Sequence, residues 1–308
     1  MTGVSVIIPT YNSSSFIVDA ITSINNNDYK DIEIIIVDDG STDSTVEIIN
    51  SLSGNIKLFT QKNSGRGMAR NNGVKHAEGK YIAFLDHDDL LETSSLSERV
   101  NYLEDHQDIG WVFTDAMEFD KSGELRLFLN QFPWLDLGND HFCQLLKGCF
   151  PLTSTIMIRS ELMRQVGGFN TAIDYGDDIE LFLRLFLISK VGMIRKPLTR
   201  RRIHPTQGVS STFDRWNSRV GIYSNFKPSI GKMTDQQHKA LNDALKFAYY
   251  KLGECYWECN DFKIARSMFL NSYGDGSHSF KALLYAALCT APNCFISMLR
   301  NIKKSSKD

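Results

Sequence analysis

The segment Phe84-Leu85-Asp86-His87-Asp88-Asp89 sets three carboxylates directly after the apolar run Tyr81-Ile82-Ala83-Phe84-Leu85. Carboxylates so spaced suit a hard divalent cation that also holds a diphosphate. Mg2+ keeps one or two carboxylates and takes its remaining ligands from phosphate and water. A second acidic pair, Asp38-Asp39-Gly40-Ser41, closes another apolar run, and a third, Asp177-Asp178, opens an apolar helical pattern. Each has an ordinary reading taken alone: an acidic turn, an Asx turn, an N-cap aspartate. The first two pairs, brought to one sheet edge, gather charge that cations or hydrogen-bond donors must offset. A division of labour does so, with one carboxylate receiving a nucleobase and another holding a metal.

Positioning those groups takes a particular alternation of elements. Residues 4–8 are a β-branched run ended by Pro9, and the polar turn Thr10-Tyr11-Asn12-Ser13 follows. Phe16, Ala20, Ile21 and Ile24 then recur at helical spacing. Residues 32–37, 56–59 and 81–85 read as further strands, and residues 66–77 as a helix. Ser44, with Glu47 after it and Val46, Ile48 and Ile49 around it, has the sequence of a capping box. Such alternation predicts an α/β fold with a Rossmann-like, mostly parallel central sheet flanked by helices. Its ligand sites lie at the C-terminal ends of strands, where Asp38-Asp39 and Asp86 to Asp89 fall.

Past residue 210 the strand pattern stops. Leu241, Leu245, Ala248 and Leu252 recur at helical spacing, then Ala265, Met268 and Phe269, then Phe280, Leu283, Leu284, Ala287 and Leu288. Breaks fall at Asn260-Asp261 and Gly274-Asp275-Gly276, so residues 211–308 read as an all-α extension. These helix pairs loosely resemble one tetratricopeptide-type repeat. A lone repeat cannot bury its own face, so contact with the rest of the chain or with a second subunit is expected. The basic end, Arg300 to Lys304 with Lys307, suits an anionic lipid surface, and a frayed terminus is the ordinary alternative.

The composition bounds the partners. A chain of 308 residues with 42% hydrophobic content builds a well-buried core in one large domain or two unequal ones. The net charge of −2 argues against nucleic acid. Cys143, Cys149, Cys255, Cys259, Cys289 and Cys294 form no C-x-x-C pair; Cys255 and Cys259, spaced i,i+4 on one helix face, read as buried reduced thiols, with a metal site as the minor alternative. No charged-then-apolar leader opens the sequence, and no apolar run reaches the ~18 residues of a membrane span. A cytoplasmic protein is expected.

Four motifs sharpen this reading: PTYN (9–12), IVDDGSTD (36–43), NSGRGMARNNG (63–73) with HAEGKYIAFLDHDD (76–89), and GDDIELFLRL (176–185). In order and spacing they resemble those of inverting family 2 glycosyltransferases of the GT-A fold. The resemblance runs from residue 4 to about residue 210. It implies a GT-A domain over 1–210, with a nucleotide-sugar-binding half (1–115) and an acceptor-binding half (116–210). By this resemblance Thr10 and Tyr11 lie against the donor base, and Asp39 accepts its ring N–H with Asp38 as helper. Asn63 and Gly65 border the nucleotide. Arg70 neutralises phosphate or braces the aspartates. Asp86 contacts the ribose or a metal-bound water. Asp88 is the direct ligand of Mn2+ or Mg2+, with Asp89 behind it or beside it as a second ligand. The metal serves as a Lewis acid on the leaving group.

The resemblance also supplies a base. Asp178 matches the family's base position, and Asp177 stands where a glutamate is commoner. The following helix carries Leu181, Phe182, Leu185 and Ile188 on its apolar face and Glu180/Arg184 as an i,i+4 pair. Asp178 near its N-terminus is expected to stay ionised, as general-base work requires. In the basic cluster of residues 195–204, Arg202 and His204 match an Arg-x-His segment that closes over the diphosphate in relatives. His204 would add a metal ligand or a diphosphate donor, while a solvated basic turn is the plain alternative. Arg201 departs from the aromatic residue often found there, which leaves the packing of this segment open. His87 is expected to point away. Thr153, Ser154 and Thr155, read as strand residues, either face the acceptor or are structural. Trp134, with Phe132 and Pro133, either stacks on a sugar or fills a satellite core.

The implied partners are a nucleotide-diphosphate sugar, a UDP-sugar favoured, and a saccharide or lipid-linked acceptor in surface polysaccharide synthesis. Peripheral contact with the inner membrane face, or a homo-oligomer contact, is expected through the C-terminal helices. Two other classes stay in view. A nucleotidyltransferase would want a Gly-rich basic loop, which PTYNSSS lacks. A catalytically silent nucleotide-binding scaffold with a helical interaction tail would be free to lose Asp88 or Asp178, and both are present.

Overall fold

The computed structural model describes residues 3–133, 135, 140–148, 151–205, 211–274 and 279–290. The expectations for Trp134, for Cys149 and Cys294, for Asp275-Gly276 and for the basic end lie outside these residues. The chain divides into two units, Met1–Gly208 with Pro228–Lys232, and Val209–Lys227 with Met233–Asp308.

In the first unit the strands β1 (Val4–Thr10), β2 (Ile32–Asp38), β3 (Ile56–Thr60) and β4 (Tyr81–Phe84) alternate with the helices α1 (Ile17–Asn25), α2 (Thr45–Ser51) and α3 (Arg66–His76). β1 pairs in parallel with β2 and β4, and β2 with β3. Every residue of β1 is buried, as a strand covered on both faces requires. Ile17, Ala20, Ile21 and Ile24 of α1 pack into the core with Val4, Val6, Ile8, Ile34 and Ile36.

The chain continues through β5 (Leu90–Leu91), α4 (Ser95–Asp105), β6 (Ile109–Asp120), β7 (Gly123–Leu127), α5 (His141–Leu145), β8 (Ile156–Arg159), α6 (Ser160–Val166), α7 (Asp177–Ile188) and β9 (Lys190–Arg202). The sheet order is β3-β2-β1-β4-β8-β6-β9-β5, with β7 on β6. This half adds antiparallel pairings, β4–β8, β6–β8, β5–β9 and β6–β7, so the sheet as a whole is mixed. The reversal at β8 is undone at β6, and β9 runs parallel to β6. β9 therefore runs the same way as β4, and the two strands end at the same edge. Helix α7 leads into β9 through Ser189 alone, so its N-terminus also points toward that edge.

Two local expectations are corrected. Thr153, Ser154 and Thr155 form a 3-10 turn ahead of β8 instead of strand, and all three are buried. The Ser44/Glu47 capping box does not form. Asp43 takes its place: its carboxylate accepts from Thr45 N–H at 3.0 Å, the Thr45 hydroxyl at 2.5 Å and Ser14 N–H at 3.2 Å. These charge-assisted bonds take the first N–H of α2 and a donor of the neighbouring turn, and leave the donors of a Ser44 cap unused.

The second unit holds α8 (Thr212–Asn225), α9 (Asp235–Glu258), α10 (Phe262–Asn271) and α11 (Ser279–Leu288). Capping boxes at Ser211/Asp214 and Thr234/Gln237 start the first two. The predicted break falls where Asn260 takes φ 65°, and Asp261 then caps α10 through Ile264 N–H. Tyr250, Trp257, Ala265, Phe269, Ala282 and Ala286 form a shared core, so these helices bury a face among themselves. In α11 the buried face is the alanine face: Phe280 and Leu284, expected inside, are 80% and 50% exposed. Cys259, read as buried, is exposed. No described helix is long and apolar enough to cross a membrane.

Candidate active site

The end of β1 turns sharply at Asn12, whose φ is 48°, and leaves Tyr11 44% exposed. Thr10 is buried, its hydroxyl donating to Ser13 Oγ at 2.6 Å. Next to it, the end of β2 forms a turn in which Asp38 accepts from Gly40 N–H at 3.2 Å, Ser41 N–H at 3.0 Å and the Ser41 hydroxyl. Gly40 sits at φ +81° with Asn63 N only 3.0 Å from where a Cβ would stand, so the exposed Asn63 loop closes tightly over this turn. Asp39 is buried and accepts from Gln61 Nε2, Ser64 N–H and Gly65 N–H, each at 2.8 Å.

Arg70 reaches across from α3. It is buried between two carboxylates, donating from Nη2 to Asp86 Oδ1 at 2.7 Å and from Nη1 to Asp177 Oδ2 at 3.2 Å. Its guanidinium lies 5.2 Å from the Phe169 ring centroid. Burial opposes the charge, but Asp86 and Asp177 hold Arg70 protonated beyond its usual range. Of the two roles open to Arg70, the contacts it makes are those of a brace. Asp86 itself is 38% exposed on its side chain, and Arg70 and Arg66 outweigh burial to keep its carboxyl below the ordinary value.

Asp177, 1% exposed, is held by Arg70 and, through Oδ1, by Arg66 Nε at 3.2 Å. Gly67 allows this approach, since a Cβ there would stand 3.2 Å from Asp177 Oδ2. Asp178 folds back onto Ile179 N–H at 2.8 Å. The expectation that the helix terminus would favour its charge is outweighed. Burial, then the neighbouring Asp177 charge, push the Asp178 carboxyl up, while Arg66 and Arg70 pull it partly back.

At the end of β9, His204 Nε2 lies 3.0 Å from Asp88 Oδ2, and the ring packs 4.5 Å from that of Phe16. Both oxygens of Asp89 meet protein donors: the Ser154 hydroxyl at 2.6 Å and Arg202 N–H at 3.1 Å. Burial and the charges of Asp88 and Asp86 push Asp89 well above the ordinary carboxylate value. Arg202 donates from Nε to the Asp88 carbonyl at 3.1 Å and from Nη2 to Asp19 at 2.9 Å, and it stacks between Phe16 and Phe119. Ser154, buried and also accepting from Asp86 N–H at 3.1 Å, ties the acidic turn to the core.

The fold thus brings every acid singled out above to one sheet edge. Sequence reasoning missed Arg66, although its spacing four residues before Arg70 puts both on one helix face. It also missed Phe16 as a support, while for Ser154 the contacts to Asp89 and Asp86 are those of the structural alternative. Among the described residues no three His, Cys, Asp or Glu side chains gather in ligand geometry. Asp88 and His204, 3.0 Å apart, are close enough that both could ligate one divalent ion. Two protein ligands fit an ion that draws the others from a diphosphate and water.

These acids stand together at one edge of a mixed sheet flanked by helices, and comparison with known proteins identifies the family that shares this arrangement. The Glycosyl transferase family 2 model matches residues 5–166. An uncharacterized glycosyltransferase of Rickettsia typhi is 30% identical over 266 residues, covering 79% of each chain. The chain belongs to glycosyl transferase family 2. Among solved structures, S. aureus TarS 1–349 in complex with UDP superposes with a TM-score of 0.65 at 19% identity, over 99% of this chain and 91% of that one. A mannosyltransferase from Pyrobaculum calidifontis in complex with GDP-Man and Mn2+ gives 0.62 at 18% identity, over 96% and 83%. The GT-A-like fold is common to all three.

Proposed function

We propose that this chain is a metal-dependent inverting transferase. It moves a sugar from a nucleoside diphosphate, a UDP-sugar by preference, to a hydroxyl of a glycan or lipid-linked acceptor in surface polysaccharide synthesis. The observation that carries the proposal is the chain of ion pairs Asp86–Arg70–Asp177, with Arg70 and Asp177 buried, which ties the acidic end of β4 to the start of α7 where Asp178 stands. The 1–115 half binds the donor. Tyr11 stacks on its base, Thr10 and Asn63 border it, and Asp38 shapes the turn that presents Asp39. Asp86 receives the ribose. Asp88 and His204 hold Mn2+ or Mg2+. When bound, that ion supplies positive charge to the leaving diphosphate. Asp89 and Arg202 fix the backbone that carries these two ligands. In the 116–210 half, Asp178 takes the proton of the attacking acceptor hydroxyl, while Asp177, bound by Arg66 and Arg70, anchors the helix start that carries it. Burial that raises the Asp178 pKa makes it a stronger base than a free carboxylate. The reaction belongs in the cytoplasm, at the inner membrane face where the acceptor is lipid-linked.

The test is sugar transfer and donor hydrolysis by Asp178→Asn and Asp88→Asn. Asp178→Asn is expected to lose about 10²–10⁴ in turnover while still binding the nucleoside diphosphate. Asp88→Asn is expected to lose the metal response as well. Unchanged turnover in Asp178→Asn would refute the assignment of the base.

A further inference from the structure

We propose that Gln61, held by Asn72, selects the donor base by leaving Asp39 a single open acceptor position, which admits a base with one ring N–H and rejects guanine. The inference rests on the base-binding role proposed for Asp39, and adds two residues and a rule of selection to it. An ionised carboxylate offers about four acceptor positions. Three on Asp39 are filled from within the chain: Gln61 Nε2 and Ser64 N–H both reach Oδ1, and Gly65 N–H reaches Oδ2, each at 2.8 Å. One position on Oδ2 is left. Asn72 Nδ2 donates to Gln61 Oε1 at 2.9 Å, so the Gln61 amide cannot turn to offer its oxygen without losing both bonds. Gln61 N–H in turn donates to the Asp38 carbonyl at 2.9 Å. Strand end, loop and helix α3 thus converge on one carboxylate that is 5% exposed.

The consequence follows from the edges of the bases. Uracil offers one donor, N3–H, between two carbonyls. Guanine offers two adjacent donors, N1–H and the exocyclic amine, which a carboxylate receives with both oxygens at once. With Oδ1 filled, the second guanine donor meets no acceptor, and an unpaired buried polar group is a strong ground for rejection. Cytosine turns its N3 acceptor toward the carboxylate and is repelled.

The experiment is calorimetric titration of the full chain with UDP, 3-methyl-UDP and GDP in the presence of Mn2+, repeated for Gln61→Ala and Asn72→Ala. The unmutated chain is expected to bind UDP at least about tenfold more tightly than either competitor, or 1.4 kcal/mol. In Gln61→Ala the UDP-to-GDP ratio is expected to fall by about threefold or more as Oδ1 regains an open position. Asn72→Ala is expected to move the ratio the same way by a smaller step. An unchanged ratio in both variants, or GDP binding as tightly as UDP before mutation, overturns the proposal. Should Gln61→Ala not fold, Asn72→Ala and the 3-methyl-UDP comparison still decide it. Failure of all three nucleotides to bind the unmutated chain refutes instead the nucleotide-binding role of Asp39.

Discussion

Asp178 owes its basicity to an unequal contest. Desolvation and Asp177 raise its pKa, and Arg66 and Arg70 lower it without restoring the ordinary value. Arg70 is buried and committed to two ion pairs, but Arg66 is 44% exposed and bound to Asp177 through one nitrogen. It also stands at the first position of α3, where a cation opposes the helix dipole. Its effect on the aspartates offsets that cost. A base acts in its ionised form, and Arg66 favours that form. Arg66→Met is therefore expected to move the acid limb of the kcat profile to higher pH and leave the alkaline limb in place. A pH–rate profile of variant and parent checks this, and an acid limb that stays or moves lower would contradict it.

At the scale of elements, Asp43 ties the start of α2 to Ser14, where Ser44 was expected to cap it. Burial works against its charge, but bonds from Thr45 and Ser14 lower its pKa to about 2. The folded value lies below the unfolded one of roughly 3.9. The stabilisation is therefore complete above about pH 4 and is lost as pH falls through the folded value. Asp43→Ala is expected to cost about 1 kcal/mol at neutral pH, as loss of a helix cap does. The difference should shrink toward pH 2, read from denaturant melts at both pH values. Parallel strands and their acidic ends were legible because β1, β2 and β4 are largely apolar runs, interrupted only at Ser5 and Glu33, that stop at polar residues. The antiparallel β8 was not, since Ile156-Met157-Ile158 reads alike in either direction. In α11 the leucine stripe misled because Ala282 and Ala286 pack more closely than Phe280 or Leu284 can.

For the whole molecule, chain direction decides what the site contains. Because β9 runs with β4, His204 arrives beside Asp88 from a segment 116 residues away in sequence. Because α7 leads directly into β9, Asp177 and Asp178 arrive at the same edge. Asp86, Asp177 and Asp178 then face Arg66 and Arg70, while Asp88 and Asp89 meet His204 and Arg202, a surplus of acid that a divalent cation would offset. The helical unit has a core of its own, built on Trp257 and Phe269. The central claim is thus a nucleotide site completed by metal at Asp88. Its most direct test is thermal melting of the full chain and of Asp88→Asn with UDP, in Mn2+ and in EDTA. A saturating ligand at a hundredfold excess over Kd stabilises by about 2.7 kcal/mol. The account predicts a rise in Tm with UDP that is larger in Mn2+ than in EDTA for the parent, and equal in the two for Asp88→Asn. A UDP shift of the same size in EDTA and Mn2+ for the parent would contradict it.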